Sequence, residues 1–128
     1  MDSAKKKVFI IEDDPFLVKA YKFIFEKENL EVWVAKDGEE AVSFMGRSEM
    51  PDIVLLDLML PGMSGFDVLA AIRTNPGWKN LAVMIITNLG QPKDIERGKS
   101  LGAVDYLVKS NTNIDDIVSG VRHYLHMA

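Results

Sequence analysis

The chain has 128 residues, 48% of them apolar and 27% charged, with a formal net charge of −4 and no cysteine. That length suits one domain with a substantial core, and the apolar share is too high for a disordered chain. The acidic balance argues against direct nucleic-acid binding, and the lack of cysteine excludes a disulfide framework, a thiolate metal site and cysteine catalysis.

The opening Met1-Asp2-Ser3-Ala4-Lys5-Lys6-Lys7 reads as a solvated lead-in to a first strand. Only four apolar residues, Val8-Phe9-Ile10-Ile11, follow before Glu12-Asp13-Asp14, too few for a signal peptide. No apolar run approaches a membrane span, so the expectation is a cytoplasmic domain over residues 1–128 with no membrane partner. Asp14 is placed to cap a first helix with Pro15 at its first position. Phe16, Leu17, Ala20, Phe23 and Ile24 recur at helical spacing, which predicts a core-facing stripe.

Residues 31–35 form the second expected strand, and Asp37 caps a short helix ending near Gly46. Residues 52–56 are an almost unbroken apolar run, the pattern of a strand covered on both faces, and they end at Asp57. Pro61-Gly62 marks a turn. Ser64 is positioned to cap a helix carrying Phe66, Leu69, Ala70 and Ile72, which Asn75-Pro76-Gly77 ends. A fourth strand over residues 81–86 ends at Thr87. Pro92 then opens a helix ended by Gly102, with only Ile95 and Leu101 strongly apolar and Gly98 interrupting it. This helix should be the loosest element of the domain. Residues 104–108 form the last strand, ending at Lys109, and Ile114, Ile117, Val118, Val121 and Leu125 form the stripe of the last helix. Trp33 and Trp78 are expected as edge packing, and His123 and His126 as surface residues.

Apolar runs alternating with amphipathic stretches read as a repeated βα unit and a parallel sheet. The strand ends then lie along one edge, where open α/β sheets bind ligands. Glu12, Asp13 and Asp57 would repel one another there without a cation, and hard oxygen ligands favour Mg²⁺. Asp13 and Asp57 would hold the metal directly and Glu12 through a coordinated water, with the backbone carbonyl of Met59 as a further ligand. Asp57 is the candidate nucleophile, since a carboxylate can attack phosphorus. Lys109 offers a compact positive charge and Thr87 one hydroxyl donor for phosphoryl oxygens. Taken singly, each residue has a plainer reading as a turn former, a cap or a solvated charge.

The chain resembles the receiver domain of two-component response regulators. The resemblance rests on Val8-Phe9-Ile10-Ile11-Glu12-Asp13-Asp14-Pro15, on Pro51-Asp52-Ile53-Val54-Leu55-Leu56-Asp57-Leu58-Met59-Leu60-Pro61-Gly62-Met63-Ser64-Gly65, on Ile85-Ile86-Thr87 and on Gly102-Ala103-Val104-Asp105-Tyr106-Leu107-Val108-Lys109. It implies a doubly wound α/β fold of five βα units, flavodoxin- and CheY-like, with a parallel sheet ordered 2-1-3-4-5. It implies that Asp57 takes a phosphoryl group from a sensor histidine kinase or phosphotransfer protein. Glu12 and Asp13 would hold Mg²⁺, with Mn²⁺ as a substitute, and Thr87 and Lys109 would contact the phosphoryl group. Thr87 and Tyr106 are the implied switch residues, and Met59, Asn88 and Leu89 the implied modulators of phosphoryl lifetime. The response would pass through the fourth helix, last strand and fifth helix to a downstream protein or output domain. The expected state at rest is a monomer, with a dimer through that face as an option on phosphorylation. The only chemistry expected is the domain's own phosphorylation and dephosphorylation.

One departure from the family pattern is Ser110 after Lys109, where the family usually has proline, often through a cis peptide. A cis bond without proline costs about 2.5–4 kcal/mol, so either the local fold enforces that strain or the peptide is trans. Asn88 is bulkier than the small residue usual after the threonine. Three rival readings have the same strand-end chemistry or topology. An aspartyl-phosphate phosphatase would carry a second acid where Met59 stands. A flavodoxin would need hydroxyl- and glycine-rich loops where Glu12-Asp13-Asp14 stands. A pseudo-receiver would act by protein contact without phosphorylation.

Overall fold

The computed structural model describes residues 5–47 and 49–127. Met1 to Ala4 of the lead-in, with Ser48 and Ala128, lie outside the described residues. Five strands, β1 (Lys7–Ile11), β2 (Glu31–Ala35), β3 (Ile53–Leu56), β4 (Ala82–Thr87) and β5 (Asp105–Val108), form one parallel sheet in the order β2-β1-β3-β4-β5. Between and after them run α1 (Pro15–Lys27), α2 (Gly38–Phe44), α3 (Gly65–Thr74), α4 (Pro92–Ser100) and α5 (Ile114–Tyr124).

The unbroken apolar runs of the central strands serve two cores at once, because alternate side chains leave a strand on opposite faces. On one face Phe9, Ile11, Val54, Leu56, Val83 and Ile85 pack with Ala41 of α2 and with Phe66, Val68, Leu69 and Ile72 of α3. On the other, Val8, Ile10, Ile53, Leu55, Met84 and Ile86 pack with Tyr21 and Phe25 of α1 and Ile117 and Val121 of α5. The last-helix stripe is therefore the one its spacing predicts.

Local capping sets the helix starts. Asp14 accepts the amides of Phe16 and Leu17 at 2.9 and 3.4 Å, Asp37 accepts that of Glu40 at 2.8 Å, and Ser64 that of Asp67 at 3.3 Å. Each oxygen satisfies an amide that the first turn leaves without a partner. Helix α5 begins in a reciprocal capping box between Asn113 and Asp116.

Two packing expectations are corrected. On α1 the sheet-facing residues are Leu17, Tyr21 and Phe25, while Phe16 and Phe23 stand 84% and 63% exposed. Both sets lie at helical spacing, so periodicity alone cannot choose between them. Trp78 is also no edge residue. It is 1% exposed, with its ring edge-on to Phe9 at 5.8 Å between centroids. Trp33, on the edge strand, is half-buried against the same cluster. His123 and His126 are exposed.

Helix α4 buries only Gly98 among its nine residues. A Cβ on Gly98 would come within 2.7 Å of Ile85 Cδ1 and 3.0 Å of Tyr106 Cδ2. The glycine that looks like an interruption in the sequence is where this helix seats against β4 and β5.

Candidate functional site

Strand register builds the site. Ile11 pairs with Leu56 and Leu56 with Ile85, so Glu12 and Asp57 leave adjacent strands at the same level. The amide of Asp57 donates to the Ile11 carbonyl at 3.0 Å and that of Glu12 to the Ala35 carbonyl at 3.0 Å, carrying the ladder one residue past each strand. Thr87 pairs with Val108, which puts Lys109 one residue beyond Thr87's level.

Lys109 Nζ lies 2.7 Å from Glu12 Oε1 and 2.8 Å from Asp57 Oδ2. The other oxygen of Asp57 accepts the Met59 amide at 2.9 Å, and Glu12 Oε2 accepts the Asp14 amide at 3.1 Å. Glu12 is 3% and Asp57 5% exposed, whereas Asp13 faces solvent. Burial outweighs these hydrogen bonds at Glu12 and pushes its carboxyl above the ordinary range. Burial alone would lower the Lys109 ammonium. Its hydrogen bonds and attraction to Asp57 and Glu12 prevail, and its pKa is raised. The acids therefore hold Lys109 charged.

Glu12, Asp13 and Asp57 each offer a carboxylate oxygen, all within 4.8 Å of one another. An all-oxygen, anionic donor set with one member open to solvent fits a hard divalent cation that keeps part of its water shell. The three carboxylates can hold a metal ion. Asp14 is occupied instead as the cap of α1.

Thr87 is 0% exposed, and its hydroxyl accepts the Leu89 amide at 3.4 Å. The Tyr106 hydroxyl donates to the Leu89 carbonyl at 2.6 Å. Burial, with the charges of Asp94 and Asp57 adding to it, pushes that phenol up to about 12. Both residues thus hold the one segment that leads from β4 into α4. Asn88 and Met59 are exposed on the rim and Leu89 is half-buried. No peptide among the described residues is cis, so Lys109 reaches both acids through a trans bond to Ser110 and opens a 3₁₀ turn, Lys109–Asn111.

Two features escape a reading of the sequence. One is the direct ion pair of Lys109 with Glu12, which no local pattern signals. The other is Gly65. A Cβ there would overlap the Asp57 carbonyl oxygen and Leu58 Cα, and its amide donates to the Leu58 carbonyl at 3.0 Å. The start of α3 thereby props the backbone that presents Asp57. The available signal was a glycine directly after a capping serine.

The family profile described as "Response regulator receiver domain" matches residues 8–122. The chain belongs to that family. It is similar to the DNA-binding response regulator MtrA of Mycolicibacterium smegmatis, with 34% identity over 109 residues, 85% of this chain and 46% of that protein. It is also similar to TcrX of Mycobacterium tuberculosis, a transcriptional regulatory protein by name, with 34% identity over 125 residues, 97% of this chain and 51% of that one. Among solved structures, a signal receiver domain from Vibrio parahaemolyticus superposes with a TM-score of 0.86 at 32% identity, covering 96% of this chain and 92% of that one. The chain spans about half the length of the two curated relatives. Receiver domains are signalling switches rather than typical enzymes, and this one fits a two-component switch. No helix among the described residues is long and apolar enough to cross a membrane.

Proposed function

We propose that Asp57 is the phosphoacceptor of a two-component switch and that a histidine kinase or phosphotransfer protein is its donor. One observation carries the reading: a shielded carboxylate is held between the Lys109 ammonium and the Met59 amide, beside two further acids. A carboxylate oxygen of Asp57 bonds to phosphorus as the bond from phosphorus to the donor's imidazole nitrogen breaks, the electron pair leaving with the nitrogen. Glu12, Asp13, Asp57 and the Met59 carbonyl would hold Mg²⁺ or Mn²⁺, which when bound would supply charge neutralisation at the phosphoryl oxygens. Lys109 follows the charge from the carboxylates onto those oxygens, and the Thr87 hydroxyl donates to one of them.

The exposed Phe16 and Phe23, on the helix that Asp14 caps beside the site, are the surface we assign to the donor. The response leaves through Thr87, Tyr106 and the face formed by α4, β5 and α5. That face would engage an output domain, a separate protein or a second copy, from a monomeric resting state.

Incubation with Mg²⁺ and acetyl phosphate is expected to add about 80 Da by intact mass, one phosphoryl group, and Asp57→Asn to abolish the adduct. An unmodified wild type would leave a protein-contact module that works without phosphorylation. The Met59 and Leu89 side chains carry no group that could orient an attacking water, and Asn88 is bulkier than the small residue usual there and narrows access to Asp57. The adduct is therefore expected to last minutes or longer once the donor is removed, and decay within seconds would refute that part.

A further inference from the structure

Arg73, in the last turn of α3, holds four backbone carbonyls. Its Nε donates to Leu101 at 3.0 Å, Nη2 to Gly102 at 2.7 Å, and Nη1 to Leu81 at 2.9 Å and Lys79 at 3.2 Å. No carboxylate pairs with it among the described residues. Two of the acceptors lie just past α4, where a helix leaves its last carbonyls without partners and carries partial negative charge. The other two lie on the segment entering β4. One planar, multi-donor group thus ties the end of α4 to the bottom of the sheet, a task a point charge does less well.

The other end of α4 is held differently. Gln91 offers no side-chain cap, and the lead-in is tied through Leu89 to Thr87 and Tyr106, the two residues assigned to the switch. Between the ends, the Gly98 seat against Ile85 and Tyr106 and the Arg97 guanidinium stacked on Phe66 at 4.2 Å both lie toward the carboxyl half of the helix. The attachments at the amino end depend on the site. At the carboxyl end the Gly98 seat still lies against the Tyr106 ring, but the Arg73 hydrogen bonds go to backbone carbonyls of Leu101 and Gly102 and to no residue of the site.

We propose that Arg73 is a positioning residue that pins the carboxyl end of α4, so that changes at Thr87 and Tyr106 tilt this helix about that end rather than slide it. The tilt rests on the function proposed above, while the pinning belongs to the resting protein and is tested separately. A tilt delivers its largest displacement at Pro92 and its smallest at Ser100, which assigns the partner-facing change to the amino half of α4.

The test is amide NMR on the whole chain, wild type against Arg73→Gln and Arg73→Lys, at rest and with Mg²⁺ and beryllofluoride. At rest, hydrogen exchange at residues 99–103 is expected to rise by about tenfold or more in Arg73→Gln, the scale of losing a hydrogen bond to a charged donor. Arg73→Lys, which keeps the charge and loses the fork, should fall between. On adding beryllofluoride, wild-type shift changes should be largest over residues 89–95 and several-fold smaller over 99–103, and Arg73→Gln should flatten that gradient. A uniform wild-type profile, or exchange at residues 99–103 unchanged in both variants, overturns the proposal. Should Arg73→Gln fail to fold, Arg73→Lys and the wild-type gradient decide. If beryllofluoride moves nothing around Asp57 and Thr87, the phosphorylation reading and the tilt both fall, and resting exchange still decides the pinning.

Discussion

The strand-end site and the α4 flank are neighbours with opposite construction. Glu12, Asp57 and Thr87 stand at the ends of the three central strands and are almost wholly shielded, Glu12 and Asp57 fixed by ladder hydrogen bonds running past the strand ends and Thr87 by its pairing with Val108. Helix α4, which covers the same sheet a few residues further along the chain, buries one glycine and lacks a side-chain cap. Pre-positioned charges suit phosphoryl transfer, where catalysis is mostly placement and electrostatics. A marginally held helix suits a response, because a two-state element needs a small energy gap. The lesson is that firmly and lightly packed parts are divided here by burial, with Leu89 joining them.

The sharpest way to probe the rigid side is its core. Trp78→Ala removes the largest fully buried side chain behind the site and should cost about 3–5 kcal/mol in chemical denaturation. A loss under about 1 kcal/mol would mean the surroundings collapse into the gap, as a loosely packed region does.

The same substitution can be made on both sides. At Gly65 a new Cβ meets the backbone of Asp57 and Leu58, which cannot give, so Gly65→Ala should cost about 2–3 kcal/mol and impair phosphorylation. At Gly98 it meets the terminal methyl of Ile85 and the ring edge of Tyr106, and alanine gains about 1 kcal/mol of helix propensity. Gly98→Ala should therefore stay within about 1 kcal/mol of wild type in either direction. Equal costs in denaturation at the two positions would erase the contrast.

Tyr106→Phe removes the hydrogen bond to Leu89 and should cost about 0.5–1.5 kcal/mol, with faster amide exchange confined to the lead-in of α4. Exchange rising evenly across the sheet would show that the joint is not local.

A further expected effect is an alkaline one. Burial pushes the phenols of Tyr21 and Tyr106 up to about 12. Between an ordinary pKa of about 10 and that value, the folded chain keeps protons that the unfolded chain releases. Stability should then fall as pH rises through this window. Lys109, also raised, contributes with the same sign, its stabilisation present below the unfolded lysine pKa and lost above it. A urea midpoint that stays level from pH 10 to pH 12 would contradict this.

Much of the arrangement is legible in the chain because it is local. The caps at Asp14, Asp37 and Ser64 act within three residues of themselves. The apolar runs end at Glu12, Asp57, Thr87 and Lys109 because a strand continues only while both its faces are covered. Parallel pairing then brings those ends to one edge. Neither the choice between two apolar faces of α1 nor the burial of Trp78 can be read this way, since each depends on which surface the sheet presents. The same holds for Lys109 on Glu12 and for Arg73 on carbonyls 28 and 29 residues away. Nearest-neighbour chemistry decided where the elements begin and which polar groups end them. Only the closing of the two layers over the sheet decided which side chains meet, because those contacts join residues with no sequence relation to one another.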